Sequence, residues 1–125
     1  MIKQIKCSEI KNFLTDNKNV ELLDVRTQDE WDNIGRPDGD KLNLKTHFVT
    51  IVRSPDPVAN KDFVQEVKNK IDPSKQLLIM CKAGGRSMMA AQLISQENIT
   101  CINISDGFEG NGENAGWKKE GLPSK

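Results

Sequence analysis

Two short apolar runs, "VELLDV" at residues 20–25 and "QLLIM" at residues 76–80, constrain the fold of this chain more than any other feature. Neither alternates apolar with polar residues as a strand with one wet face does. Runs of this kind are strands buried on both faces, which is where the central strands of a parallel sheet lie. Parallel neighbours cannot be joined by a tight hairpin. Each needs a crossover, and helical crossovers then cover both faces of the sheet.

The rest of the chain supplies pieces for that scheme. Residues Ile2 to Ile5 read as a short strand. Ser8 is placed to cap a helix over Glu9 to Asp16, in which Ile10, Phe13 and Leu14 recur at helical spacing. Thr27-Gln28-Asp29-Glu30 has the form of a capping box and opens a short helix carrying Trp31. Turn-forming residues in "IGRPDGDKLNL" lead to a brief strand near Leu42 to Leu44. Residues 45–60, with Pro55 and Pro57 and no clear period, read as a long connection that holds His47. Asn60 caps a helix to about Lys70, with Phe63, Val64, Val67 and Ile71 on one stripe. Ser87 to Gln96 forms a further helix, with Met88 and Met89 in its core face; "TCINI" is the last strand, and a Gly-rich tail follows with one short helix at its end. The expected class is α/β: three layers, with a central, mostly parallel five-stranded sheet between helices. With no internal repeat and no linker, residues 1–125 are expected to form one domain.

Composition narrows the function. Lysine plus arginine equals aspartate plus glutamate, 18 against 18, so no global field draws the chain to nucleic acid or to an anionic membrane. No apolar run approaches the roughly 20 residues that span a bilayer. The start, "MIKQIKCSEIKNFL", has no continuous apolar segment of a secretory leader. Cys7, Cys81 and Cys101 are too few and odd in number for a disulfide scaffold, and the expected setting is the cytoplasm. No Cys-x-x-Cys pair occurs and there is one histidine, so neither a metal site nor a cofactor is expected.

The chemistry is expected at residues 81–87, "CKAGGRS", directly after the second apolar run. Ligands of open α/β sheets bind at the carboxyl ends of the strands, which is where Cys81 falls. A thiol becomes a nucleophile as its thiolate, which cationic neighbours and a helix N-terminus both favour. Lys82 and Arg86 supply the charge, and a helix opening at Ser87 presents unpaired N–H groups. Gly84 and Gly85 let the loop curl until successive amides face inward as an anion nest. No general base is needed once the thiolate exists. Cys7 and Cys101 read as packing residues, Trp31 and Trp117 as packing anchors, and Lys118 and Lys119 as a solvated face.

"LLDVRTQDEW", then "CKAGGRS", then "DGFEG" and "GWKKEGLP" together resemble a single-domain rhodanese over residues 5–123. The resemblance implies a sulfurtransferase. Cys81 would be the catalytic nucleophile and persulfide carrier, with Lys82, Ala83, Gly84, Gly85, Arg86 and Ser87 as its substrate-binding cradle. Asp24 and Arg26 fall where the family has charged residues that brace the loop. The implied partners are a small anionic sulfur donor such as thiosulfate, a cyanide or thiol acceptor, and a sulfur-acceptor protein. One departure is Arg36, which stands where most rhodaneses have histidine in a Gly-His-Ile-Pro-like segment.

Two alternatives share the architecture. Cysteine-dependent phosphatases and arsenate reductases place their arginine one residue further on, where this chain has Ser87. Non-catalytic modules that dock a protein partner often lack the cysteine that this chain keeps.

Overall fold

The computed structural model describes residues 2–53 and 58–125. In chain order the elements are β1 (Lys3–Ile5), α1 (Ile10–Asp16), β2 (Val20–Asp24), α2 (Gln28–Asn33), β3 (Lys45–Phe48), β4 (Val52–Arg53) and β5 (Val58–Ala59). They continue with α3 (Phe63–Lys70), β6 (Gln76–Met80), α4 (Gly85–Ser95) and β7 (Cys101–Ile104). Five strands form one sheet in the order β1-β7-β6-β2-β3, every pairing parallel, while β4 and β5 make a separate antiparallel pair. The fold is therefore α/β with a five-stranded parallel sheet between helices.

The two apolar runs are neighbours inside the sheet. Val20 of β2 lies opposite Gln76 of β6, and the register holds to Asp24 opposite Met80. Side chains alternate between faces along a strand, so each run feeds two cores. Leu23, Val25, Leu77, Ile79 and Cys81 pack with Phe63 and Val67 of α3 and with Ala90, Ala91 and Ile94 of α4. Leu22, Leu78 and Met80 pack on the other side with Ile10 of α1 and with Phe108, Trp117 and Leu122 of the tail. Cys81 thus belongs to the α3–α4 face.

Several boundaries differ from expectation, each for a local reason. The strand expected near Leu42 to Leu44 is instead a 3-10 turn over Gly39–Leu42, ended by Asn43 in the left-handed region at φ 59°. The strand follows at Lys45–Phe48. It lies at the sheet edge, and its sequence, Lys-Thr-His-Phe, carries no continuous apolar signal. The connection expected over residues 45–60 therefore carries β3, β4 and β5; Pro55 and Pro57 lie outside the described residues. Ser8 is exposed and caps nothing. A 3-10 turn over Cys7–Glu9 precedes α1, and the Glu9 carboxylate accepts the Lys6 N–H at 2.9 Å. Asn60 closes the turn ahead of α3, its Oδ1 accepting the Asp62 N–H at 3.1 Å.

The capping box is formed as expected: Thr27 Oγ1 accepts the Glu30 N–H, and Glu30 takes the Thr27 N–H in return. Helix α4 starts at Gly85, two residues ahead of Ser87. Its inward side is made of small residues, Ser87, Ala90 and Ala91, with Ile94, while Met89 is exposed and not core. After β7 the described chain runs in turns, without the expected terminal helix.

Candidate active site

Cys81 follows the last residue of β6, and the chain turns back at once to begin α4. The turn is made by one residue. Gly84 has φ +103°, and a Cβ there would sit 2.3 Å from the Ser105 carbonyl oxygen. Gly85, expected to share this task, is an ordinary first helical residue with open space over its α-carbon.

This geometry aims a backbone donor at the sulfur. The Gly84 N–H donates to Cys81 Sγ at 3.1 Å, and Ser87 Oγ lies 3.3 Å from the same sulfur. The first intrahelical bond runs from the Met88 N–H to the Gly84 carbonyl, so the amides of Gly85, Arg86 and Ser87 are the orphan donors of the helix start. Anionic sulfur suits that position, because the donors and the helix dipole act in the same direction.

The tail holds the loop from below. The Phe108 N–H donates to the Cys81 carbonyl at 2.8 Å and the Glu109 N–H to the Lys82 carbonyl at 3.0 Å. Such close approach requires Gly107, where a Cβ would lie 2.4 Å from the Lys82 oxygen. Phe108 is held in turn by Arg26, whose guanidinium lies 4.2 Å from the ring centroid. Arg26 forms a fully buried pair with Asp24 at 2.9 Å and also donates to the Gly35 carbonyl. The Asp24–Arg26 pair therefore braces the cysteine loop through an aromatic ring.

The cations expected around the sulfur separate. Lys82 and Ala83 stand exposed at the rim. Arg86 reaches to α2 and forms a two-pronged pair with Glu30 at 2.7 and 2.9 Å. Burial works to raise the Glu30 carboxyl, but the Arg86 hydrogen bond and the Thr27 N–H outweigh it and hold the group below its ordinary range. The same bond raises Arg86.

The other thiols have different surroundings. Burial, with Asp106 adding to it, pushes Cys7 strongly up, and Cys7 Sγ donates to the Gly107 carbonyl at 3.3 Å. Burial alone pushes Cys101 up to about 11. His47 is not in irregular chain: it lies in β3, buried, with Nε2 2.8 Å from Glu21 of β2. Trp31 packs edge-on against Phe48 and Trp117 is fully buried, while Arg36 pairs with Asp32 on α2.

Sequence reasoning found Glu30 as a capping residue and missed its second role as the partner of Arg86. It also missed the Gly107–Glu109 brace and Asn103, which accepts a hydrogen bond from Ser87. A signal for Asn103 was available: it is the one polar residue in the otherwise apolar β7.

Residues 7–113 match the rhodanese-like domain family. The chain belongs to that family. The uncharacterized protein RP600 of Rickettsia prowazekii is 37% identical over 124 residues, covering 98% of this chain and 97% of the relative. Thiosulfate sulfurtransferase 18 of Arabidopsis thaliana is 26% identical over 108 residues, covering 86% and 76%. Among solved structures, the crystal structure of Rv0390 from M. tuberculosis superposes with a TM-score of 0.86 at 32% identity, covering 98% of this chain and 96% of that one. This rhodanese-like domain thus has distant sulfurtransferase relatives. Among its described residues, no helix is long and apolar enough to cross a membrane.

Proposed function

We propose that this rhodanese-like domain is a sulfurtransferase that moves a sulfane sulfur from a small anionic donor such as thiosulfate to cyanide or a thiol. The Cys81 thiolate attacks the outer sulfur of thiosulfate. A new S–S bond forms, the old one breaks, and sulfite leaves with its electron pair. Cyanide or a thiolate then attacks the terminal sulfur of the Cys81 persulfide, and Cys81 leaves as the thiolate. Electrons balance with no outside oxidant or reductant.

The observation that carries this reading is the Gly84 N–H on Cys81 Sγ at 3.1 Å, at the start of α4. The orphan amides of Gly85, Arg86 and Ser87 extend that support to an added sulfur. The proposed binding set is Lys82 to Ser87, with Lys82 and Ala83 at the rim. Arg86 acts here by fixing the loop to α2. A phosphatase reading asks for an arginine that reaches over bound oxyanions, and the engagement of Arg86 with Glu30 favours sulfur transfer over it. The proposed acceptor thiol belongs to a small molecule or to an acceptor protein, and the proposed setting is the cytoplasm. Neither nucleic acid nor a membrane enters the proposal.

Thiocyanate formation from thiosulfate and cyanide tests the reading. Cys81→Ser is expected to abolish it, while Cys7→Ser and Cys101→Ser keep most of it. Full activity in Cys81→Ser would overturn the proposal.

A further inference from the structure

Asn103 is 1% exposed, in the middle of β7. Its Nδ2 donates to the Gly84 carbonyl at 3.2 Å and to Gln4 Oε1 at 3.0 Å. A backbone carbonyl can only accept, so Gly84 fixes which way this amide faces, with Oδ1 toward Ser87. Ser87 Oγ lies 2.5 Å from that oxygen. An amide oxygen also only accepts, and a hydroxyl has one proton, so Ser87 spends its proton on Asn103. What remains for Cys81 Sγ, 3.3 Å away, is a lone pair. In this arrangement the sulfur is the donor, a thiol S–H.

We propose that Asn103 is a positioning residue that turns the Ser87 hydroxyl away from Cys81 and so holds the resting sulfur as a thiol. When the thiol ionises, its proton passes to solvent and the lone pair of Ser87 faces an anion. To stabilise it, the hydroxyl must rotate and donate its hydrogen bond to the sulfur, which leaves Asn103 Oδ1 without a donor. That loss offsets the gain, because an unpaired buried acceptor is costly. The cup then has one fixed donor to the sulfur, the Gly84 N–H, and one that Asn103 withholds.

The other charged groups around the loop are Lys82, Arg86 of α4 with Glu30 of α2, the Asp24–Arg26 pair at the end of β2, and Asp106 beyond β7. The substitutions below leave all of them in place. The inference rests on Cys81 being the reactive sulfur of the proposed function. It does not depend on which group Cys81 transfers.

The test is the pH dependence of Cys81 alkylation by iodoacetamide, read from the mass of the Cys81 peptide. Asn103→Leu frees the Ser87 proton for the thiolate and is expected to lower the midpoint by about one pH unit, a tenfold gain in thiolate fraction, the size of one charge-assisted hydrogen bond. In a Ser87→Ala background the same substitution is expected to leave the midpoint where it was. Asn103→Asp keeps an acceptor facing Ser87 and adds negative charge, so it is expected to raise the midpoint. An unmoved midpoint in Asn103→Leu, or an equal shift without Ser87, would overturn the inference. Should Asn103→Leu fail to fold, a midpoint unmoved or lowered by Asn103→Asp would do the same. Failure of thiosulfate to load Cys81 would sink the proposed function and leave this pH profile intact.

Discussion

Alanine placed at Gly84 and at Gly85, one at a time, is expected to give opposite results although the residues are neighbours. At Gly84 the backbone holds φ +103°, a conformation that costs an L side chain about 1–3 kcal/mol. The new Cβ would also meet the Ser105 carbonyl at 2.3 Å, so the loop and the end of β7 must part. Overpacking of that kind costs about 1–3 kcal/mol more. The sum is about 4 kcal/mol, or about 15 °C in Tm for a domain of this size. Out of a total stability of about 5–15 kcal/mol, the variant still folds at room temperature. Its Gly84 N–H is displaced from the sulfur, and alkylation of Cys81 slows. At Gly85 the added methyl meets nothing within 4 Å, and removing a glycine from a helix is neutral or stabilises by up to about 0.5 kcal/mol. Thermal unfolding by circular dichroism, with alkylation rates beside it, reads both effects. Equal losses of Tm in the two variants would refute the reasoning.

Three further outcomes are expected. The Glu30 carboxyl lies below its ordinary value of 4.5, so its pair with Arg86 stabilises the fold above that pH and the contribution is lost as pH falls through the lowered value. The stability gap between the protein and Glu30→Gln, about 1–2 kcal/mol at neutral pH, therefore closes on acidification; urea unfolding that gives the same gap at neutral pH and well below pH 4.5 would contradict this. In the folded protein at neutral pH, iodoacetamide is expected to label Cys81, whose sulfur accepts the Gly84 N–H, ahead of Cys7 and Cys101, whose sulfurs donate to backbone carbonyls and whose thiolates burial disfavours; peptide mapping that finds equal labelling would count against the assignment. Aryl phosphates are expected to give no steady turnover, and hydrolysis that disappears in Cys81→Ser would favour phosphoryl transfer instead.

What was legible in the sequence follows from where each signal is generated. Strands β2 and β6 are buried on both faces, so their own residues announce them, and the parallel sheet follows. β3 is a short edge strand, Lys-Thr-His-Phe, and the turn ahead of it ends in a left-handed Asn43; no periodic signal marked either. The cysteine loop was legible because Cys81, Gly84 and Ser87 lie within a few residues of one another and of a helix start. Its supports were not, because they come from elsewhere in the chain. Glu30 reaches Arg86 across 56 positions, and Ser87 meets Asn103 across 16. Arg86 was read as a charge for the sulfur because local spacing says nothing of a partner on α2. Gly85 was credited with the curl because a glycine pair looks symmetrical in sequence, whereas the backbone needs one left-handed residue.

Intact mass before and after brief treatment with thiosulfate tests the central claim most directly. The protein is expected to gain the mass of one sulfur atom, to carry it on the Cys81 peptide, and to lose it on addition of cyanide. Cys81→Ser is expected to gain nothing. No gain by the unmodified protein, or an equal gain by Cys81→Ser, would contradict the account.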